Sequence, residues 1–129
     1  MDVLSSRVLL RPTDHARSRH FYEETLGLAV FREFGPADHP GVVFHLGNGL
    51  LELSGSSADG PNDAIAMWIQ VRNVHKQHER LERAGVPVLR PPVQEPWGLI
   101  ECWIADPDGM KIVLVEVPAD HPLRRDQRP

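Results

Sequence analysis

The chain has 129 residues, 41% apolar and 25% charged, an ordinary balance for a domain that buries a core without disulfide staples. Its formal net charge of −4, with lysines and arginines scattered along the chain, excludes the basic face of a nucleic-acid binder. No stretch approaches the roughly 18 apolar residues of a membrane span, Met1 to Arg7 hold no run suited to a signal peptide, and the single cysteine, Cys102, permits no internal disulfide, so the expectation is a cytoplasmic protein.

Val8-Leu9-Leu10 reads as a short strand ending at Pro12, after which Thr13 or Asp14 caps a helix. That helix carries Ala16, Phe21, Tyr22 and Leu26 and stops at Gly27. Leu28 to Phe34 is a strand, followed by a loop with Gly35, Pro36, Pro40 and Gly41. Val42 to Leu46 and Leu50 to Leu53 form a hairpin on Asn48-Gly49. Gly55 to Asp63, rich in Ser, Gly, Asp and Pro, is a linker. The order then repeats. Ile65 to Val71 is a strand. Val74, His78 and Leu81 fall on one helical stripe that ends at Gly85. Val86 to Leu89 is a strand broken by Pro91-Pro92, and Pro96-Trp97-Gly98 is a turn. Leu99 to Ala105 and Lys111 to Val117 are strands joined through Pro107-Asp108-Gly109. Pro118 to Pro129, polar with Pro and Arg, reads as a disordered tail.

The pattern is strand-helix-strand-strand-strand, twice. It predicts an α+β chain of two βαβββ modules, at about 4–54 and 64–117 with linker 55–63, in a single domain. One helix per module covers one sheet face, and a curved mixed sheet around a groove is the expected arrangement.

With these pieces placed, the sequence resembles the vicinal oxygen chelate superfamily of glyoxalase I, ring-cleaving dioxygenases, fosfomycin-resistance enzymes and bleomycin-resistance proteins. The likeness is carried by Phe21-Tyr22 to Leu26-Gly27-Leu28, by Gly49-Leu50-Leu51-Glu52-Leu53, and by Asp106-Pro107-Asp108-Gly109. It covers roughly residues 4 to 117. The resemblance implies a divalent metal held from the first, fourth, fifth and eighth strands, in glyoxalase I by His or Gln, Glu, His or Gln, and Glu. The matching places here are Arg7, Glu52, Ala66 and Val113. Arg7 has no lone pair to give, and Ala66 and Val113 have no donor at all. A shift of one residue brings in Ile65, Met67, Ile112 or Leu114, none of them a ligand for a hard cation. A catalytic metal needs about three protein ligands, so the expectation is no metal and no cofactor. His75 and His78 have a spacing that can share a metal, but read more simply as a sheet-covering residue and a solvent-facing one. His15, His20, His39 and His121 fall on a helix surface or in loops.

Strand alternation gives the expected groove wall: Arg7, Leu9, Arg11, His45, Leu50, Glu52, Trp68, Gln70, Glu101, Trp103, Val113 and Val115, with Trp97 at the rim. His45 is either a hydrogen-bonding group for a ligand or an ordinary strand residue. Trp68 and Trp103 are either a stacking wall for a planar ligand or core and interface residues. Arg7 and Glu52 form a salt bridge that closes the empty metal position, or Arg7 also meets an acidic or carbonyl group of a ligand. Cys102 is a small buried hydrophobe. The resemblance then implies a cytoplasmic, homodimeric protein of the bleomycin-resistance type, which sequesters an aromatic, drug-like natural product without a catalytic residue. The alternatives are a metal-free isomerase or lyase using Glu52 or Glu101 as base, and, with one surviving ligand, a metal-dependent glyoxalase or dioxygenase.

Overall fold

The structure, a computed structural model, describes residues 1–124. The chain divides into two compact units: Met1–Ile65 with Asp106–Met110, and Ala66–Ala105 with the chain from Lys111 onward. No helix among the described residues is long and apolar enough to cross a membrane.

The first unit contains β1 (Arg7–Leu10), α1 (His15–His20) with a π-helical continuation (Phe21–Thr25), β2 (Val30–Phe34), β3 (Gly41–Leu46) and β4 (Gly49–Leu53). The strands lie in the order β1-β4-β3-β2, with β1 parallel to β4 and the other pairs antiparallel. Asp14 is the cap of α1, its carboxylate accepting the Arg17 N–H at 3.1 Å. The helix repeat read from the sequence fails at Ala16, which is exposed, while Ser18, Phe21 and Tyr22 are buried. Ser18, Phe21 and Tyr22 stand at i, i+3 and i+4 on one helix face, which leaves Ala16 on another. Beyond His20 the helix widens into a π turn, in which the Leu26 N–H reaches back five residues to the Phe21 carbonyl at 2.8 Å. The hairpin turn is also one residue earlier than expected. Leu46 pairs with Gly49, so the loop is Gly47-Asn48, and Gly47 supplies the positive φ of 58°.

The second unit contains β5 (Ala66–Gln70), α2 (Val74–Arg83), β6 (Val88–Gln94), β7 (Ile100–Ala105) and β8 (Lys111–Glu116), in the order β5-β8-β7-β6. α2 is capped by Asn73, whose side-chain oxygen accepts the Lys76 N–H at 3.0 Å, and buries Val74 and Leu81. The strand expected to break at Pro91-Pro92 runs through them. β6 is an edge strand with two register shifts along β7, and an edge tolerates residues that cannot donate to a ladder. The tail is ordered by turns as far as Arg124: His121 Nε2 lies 2.9 Å from the Trp97 carbonyl, and Arg124 Nη1 donates to the Val117 carbonyl at 2.6 Å. The tail expected to be disordered runs on past Arg124, and residues 125–129 lie outside the described residues.

The segment Asp106–Met110, which follows the second module's third strand in sequence, groups with the first unit. Asp106, 6% exposed, explains it. Its Oδ1 accepts the backbone N–H of Asp108 (2.9 Å) and Met110 (2.8 Å), shaping the turn. Its Oδ2 accepts the Tyr22 hydroxyl at 2.7 Å. Burial and the Asp106 carboxylate push the Tyr22 phenol far up, so it stays a donor. Asp108 in turn accepts from the Thr13 N–H at 3.0 Å, from the Thr13 hydroxyl, and from Arg17 Nη2 at 3.0 Å. Tyr22→Phe therefore strands half of a buried carboxylate. We expect a loss of about 1.5–3 kcal/mol in urea unfolding monitored by circular dichroism; an unchanged midpoint would show that the hydroxyl anchors nothing.

Candidate functional site

In the first unit, Tyr22 contacts Phe44 ring to ring at 6.4 Å, which fixes the face of the sheet toward α1. Val8, Leu10, Val42, Leu51 and Leu53 share that face by pairing. The opposite face carries Arg7, Leu9, Val43, His45, Leu50 and Glu52, since Arg7 pairs with Leu50, Leu9 and Val43 with Glu52, and His45 with Leu50. The alternation read from the sequence thus holds here. Arg7 Nη1 donates to Glu52 Oε1 at 2.9 Å. Glu52 Oε2 accepts the Ser54 hydroxyl at 2.6 Å, and that same Ser54 oxygen accepts from Arg11 Nη1 at 2.6 Å. A relay Arg7–Glu52–Ser54–Arg11 runs along the face. The Ser54 hydroxyl first, then Arg7, holds the Glu52 carboxyl below the usual glutamate range. Ser54 was missed in the sequence, although its place two residues after Glu52 on an alternating strand was the available signal. His45 is exposed and meets Phe31 edge-on at 5.1 Å.

In the second unit, Met67, Cys102, Ile104, Ile112 and Leu114 form one buried set. Burial pushes the Cys102 thiol up, against any nucleophilic use. The other face holds a separate apolar cluster of Leu99, Val113, Val115 and Val117, with Trp103 packed on it. Val113 pairs with Trp68 on one side and with Trp103 on the other, so the three form one rung across β5, β8 and β7. The next rung is Gln70, Val115 and Glu101. Strand spacing sets the two indole-bearing backbones roughly 10 Å apart with Val113 between them. They therefore make a floor flanked by indoles, and not a pair that clamps one ring. Trp68 is 51% exposed while Val113 is 4% exposed. Trp97, expected at a rim, is exposed, and its Nε1–H donates to Glu101 Oε2 at 2.8 Å. Glu101 is buried with that indole as its partner. Of the other candidates, His78 lies 2.9 Å from Glu82 on its own helix and His75 is exposed. Among the described residues no three His, Cys, Asp or Glu side chains gather as a metal-binding group.

The model of the glyoxalase/bleomycin resistance protein/dioxygenase superfamily matches residues 5–114. The chain belongs to this superfamily. Solved structures agree in fold: a superfamily member from Sphaerobacter thermophilus (20% identity, 89% of this chain and 98% of that one, TM-score 0.70), a glyoxalase-related enzyme from Fulvimarina pelagi (24%, 92% and 90%, 0.72), and the trypanothione-dependent glyoxalase I of Leishmania major (23%, 85% and 84%, 0.68). A search of curated protein sequences gives no match.

The metal implied by the superfamily can be tested against the residues. Arg7 pairs with Leu50 two positions before Leu9 pairs with Glu52. In the second sheet Ala66 pairs with Lys111 two positions before Trp68 pairs with Val113. Ala66 thus repeats the place of Arg7, and Val113 that of Glu52. Three of the four places lack a lone pair, and the fourth is a carboxylate already bound to a guanidinium and a hydroxyl. This donor set does not fit a divalent cation.

The same relay predicts a pH signature. A carboxyl with a depressed folded pKa contributes stability that is fully present above its unfolded value, about 4.3, and is lost as pH falls through the lower folded value. The pair is partly exposed, with side chains 33% and 14% accessible, so Glu52→Gln should cost about 1 kcal/mol or less at pH 7. That difference should vanish by acid titration below the glutamate range. A difference that grows toward low pH would mean that Glu52 is not held as the anion.

Proposed function

We propose that this protein binds a planar, aromatic, drug-like natural product and releases it unchanged, in the manner of metal-free bleomycin-resistance proteins. The observation that carries the reading is the Trp68–Val113–Trp103 rung, an apolar floor whose flanking Trp68 is half exposed. A ring system laid on it gains about 0.5–1.5 kcal/mol per indole beyond burial. Gln70 and Glu101, on the adjoining rung, orient the polar parts of the ligand. Sequestration is favoured over a metal-free isomerase or lyase by the state of the two carboxylates. Glu52 is held as an anion by Ser54 and Arg7, and Glu101 accepts the Trp97 indole N–H, so each carboxylate is engaged by donors of the protein itself. The Arg7–Glu52 pair closes the position of the lost metal.

Tryptophan fluorescence, titrated with peptide antibiotics, quinones and other polycyclic aromatics, is the direct test. A ligand of this class should quench saturably. Trp68→Ala and Trp103→Ala should each weaken it about tenfold, or 1.4 kcal/mol, and Trp97→Ala less. Unchanged affinity in both inner variants would remove the floor from the account. Mass spectrometry of the recovered ligand should show it intact; a converted ligand would put the isomerase or lyase reading in its place.

We further propose a homodimer, on the resemblance to superfamily members whose grooves are shared by two subunits. Sedimentation equilibrium at micromolar concentration should give twice the chain mass, and a monomer at high concentration would refute it.

A further inference from the structure

Glu101 is 7% exposed and stands on the sheet face of the second unit that carries the indole rung. Its own rung, Gln70, Val115 and Glu101, is two residues along the strands from Trp68, Val113 and Trp103, a step of roughly 7 Å. One carboxylate oxygen is engaged: Oε2 accepts the Trp97 indole N–H at 2.8 Å. Oε1 accepts no hydrogen bond from the described residues. Nor is it one of their sealed, unpartnered side-chain atoms, which are His15 Nδ1 and Nε2, Ser18 Oγ, His78 Nε2 and Arg90 Nε. An oxygen neither bonded nor sealed meets solvent, so Glu101 presents an open acceptor beside the rung.

Among the described residues no cation of the chain forms an ion pair with that carboxylate. Arg90 gives Nη2 to the Glu95 carboxylate and, at 3.3 Å, to the main-chain carbonyl of Glu101. Arg90, Glu95 and Glu101 together therefore carry one positive and two negative charges. Lys111, placed on the same face by its pairing with Ala66, is four residues of strand from the Glu101 rung, roughly 13 Å, on the far side of the indoles. The chain's own contacts fix the Trp97 turn. Gly98 takes a φ of 94°, a Cβ there would meet His121 Cδ2 at 3.0 Å, and His121 Nε2 lies 2.9 Å from the Trp97 carbonyl.

This arrangement selects the charge of the ligand. A carboxylate drawn out of water and met by one neutral N–H keeps part of its desolvation cost. A protonated amine at Oε1 recovers it through a charge-assisted hydrogen bond. That amine also lies next to the indole that holds Oε2, and indoles attract cations. An anionic ligand meets the excess negative charge instead. We propose that the ligand of this face is cationic: a planar ring on the rung of Trp68, Val113 and Trp103, with a protonated amine on an arm of about two bonds, matched to the step between rungs, that donates to Glu101 Oε1. This rests on the reading of that rung as a ligand floor.

The probes are 2-(1-naphthyl)ethylamine, 2-(1-naphthyl)ethanol and 1-naphthylacetate, titrated into the full chain by calorimetry, with the three indole N–H signals followed by NMR. The amine should bind at least about tenfold more tightly than the alcohol, the low end for a hydrogen bond to a charged group, and naphthylacetate should bind most weakly. The Trp97 N–H signal should move further with the amine than with the alcohol. Glu101→Gln keeps an acceptor for Trp97 and removes only the charge; in it the amine-to-alcohol ratio should fall to about one. Trp97→Phe leaves the carboxylate in place, so the amine preference should persist there, which tests the proposal even if Glu101→Gln does not fold. The proposal is overturned if amine and alcohol bind alike in the wild type, if the preference survives Glu101→Gln, if naphthylacetate matches the amine, or if none of the three binds saturably. Alike binding of amine and alcohol that is weakened in Trp68→Ala would keep the floor and remove the cation. An amine preference that needs Glu101 but is indifferent to Trp68→Ala would keep the carboxylate site and remove the floor.

Discussion

A four-stranded sheet has two faces, and each unit of this chain supplies one helix. The face under the helix must be apolar to build a core, and it is: Phe44, Leu51 and Leu53 in one unit, Cys102, Ile104 and Ile112 in the other, all fully buried. Because side chains alternate along a strand, everything on the second face is then determined in register. Arg7 must stand with Leu9 and Glu52, and Trp68 with Val113 and Trp103. The chemistry available to the protein is whatever the second face carries. Here that is an ion pair tied to a serine in one unit, and an indole-flanked apolar rung in the other.

The carboxylates are distributed by the same logic. Asp106 is buried and spends its oxygens on two backbone N–H groups and the Tyr22 hydroxyl, which makes it an architectural residue. Glu101 is buried and takes the Trp97 indole. Glu52 is met by Arg7 and Ser54. Among the described residues, each of these three acids has a specific donor.

Much of this was legible in the sequence because it rests on period-two alternation and on glycine. The face assignments of Arg7, His45, Glu52, Trp68, Glu101, Trp103 and Val113 followed from alternation alone, and Gly27 and Gly85 do take the positive φ of helix ends, at 80° each. The misreadings share a different cause. The π turn after His20 has no local signature that separates it from an imperfect α period. Pro91-Pro92 reads as a strand break unless the strand is known to be an edge. The Asp106 motif was recognised as a turn, but its attachment to Tyr22 spans 84 positions and no local pattern encodes it.

The central claim is that Arg7, with Glu52 bound to it, stands where the superfamily's enzymes bind a metal, and that Ala66 and Val113 leave nothing to replace it. Elemental analysis of protein purified without chelator and without a metal-affinity tag tests this most directly. The account predicts far less than one equivalent of zinc, nickel, iron or manganese per chain. About one equivalent, retained through dialysis and lost in Glu52→Gln, would contradict it.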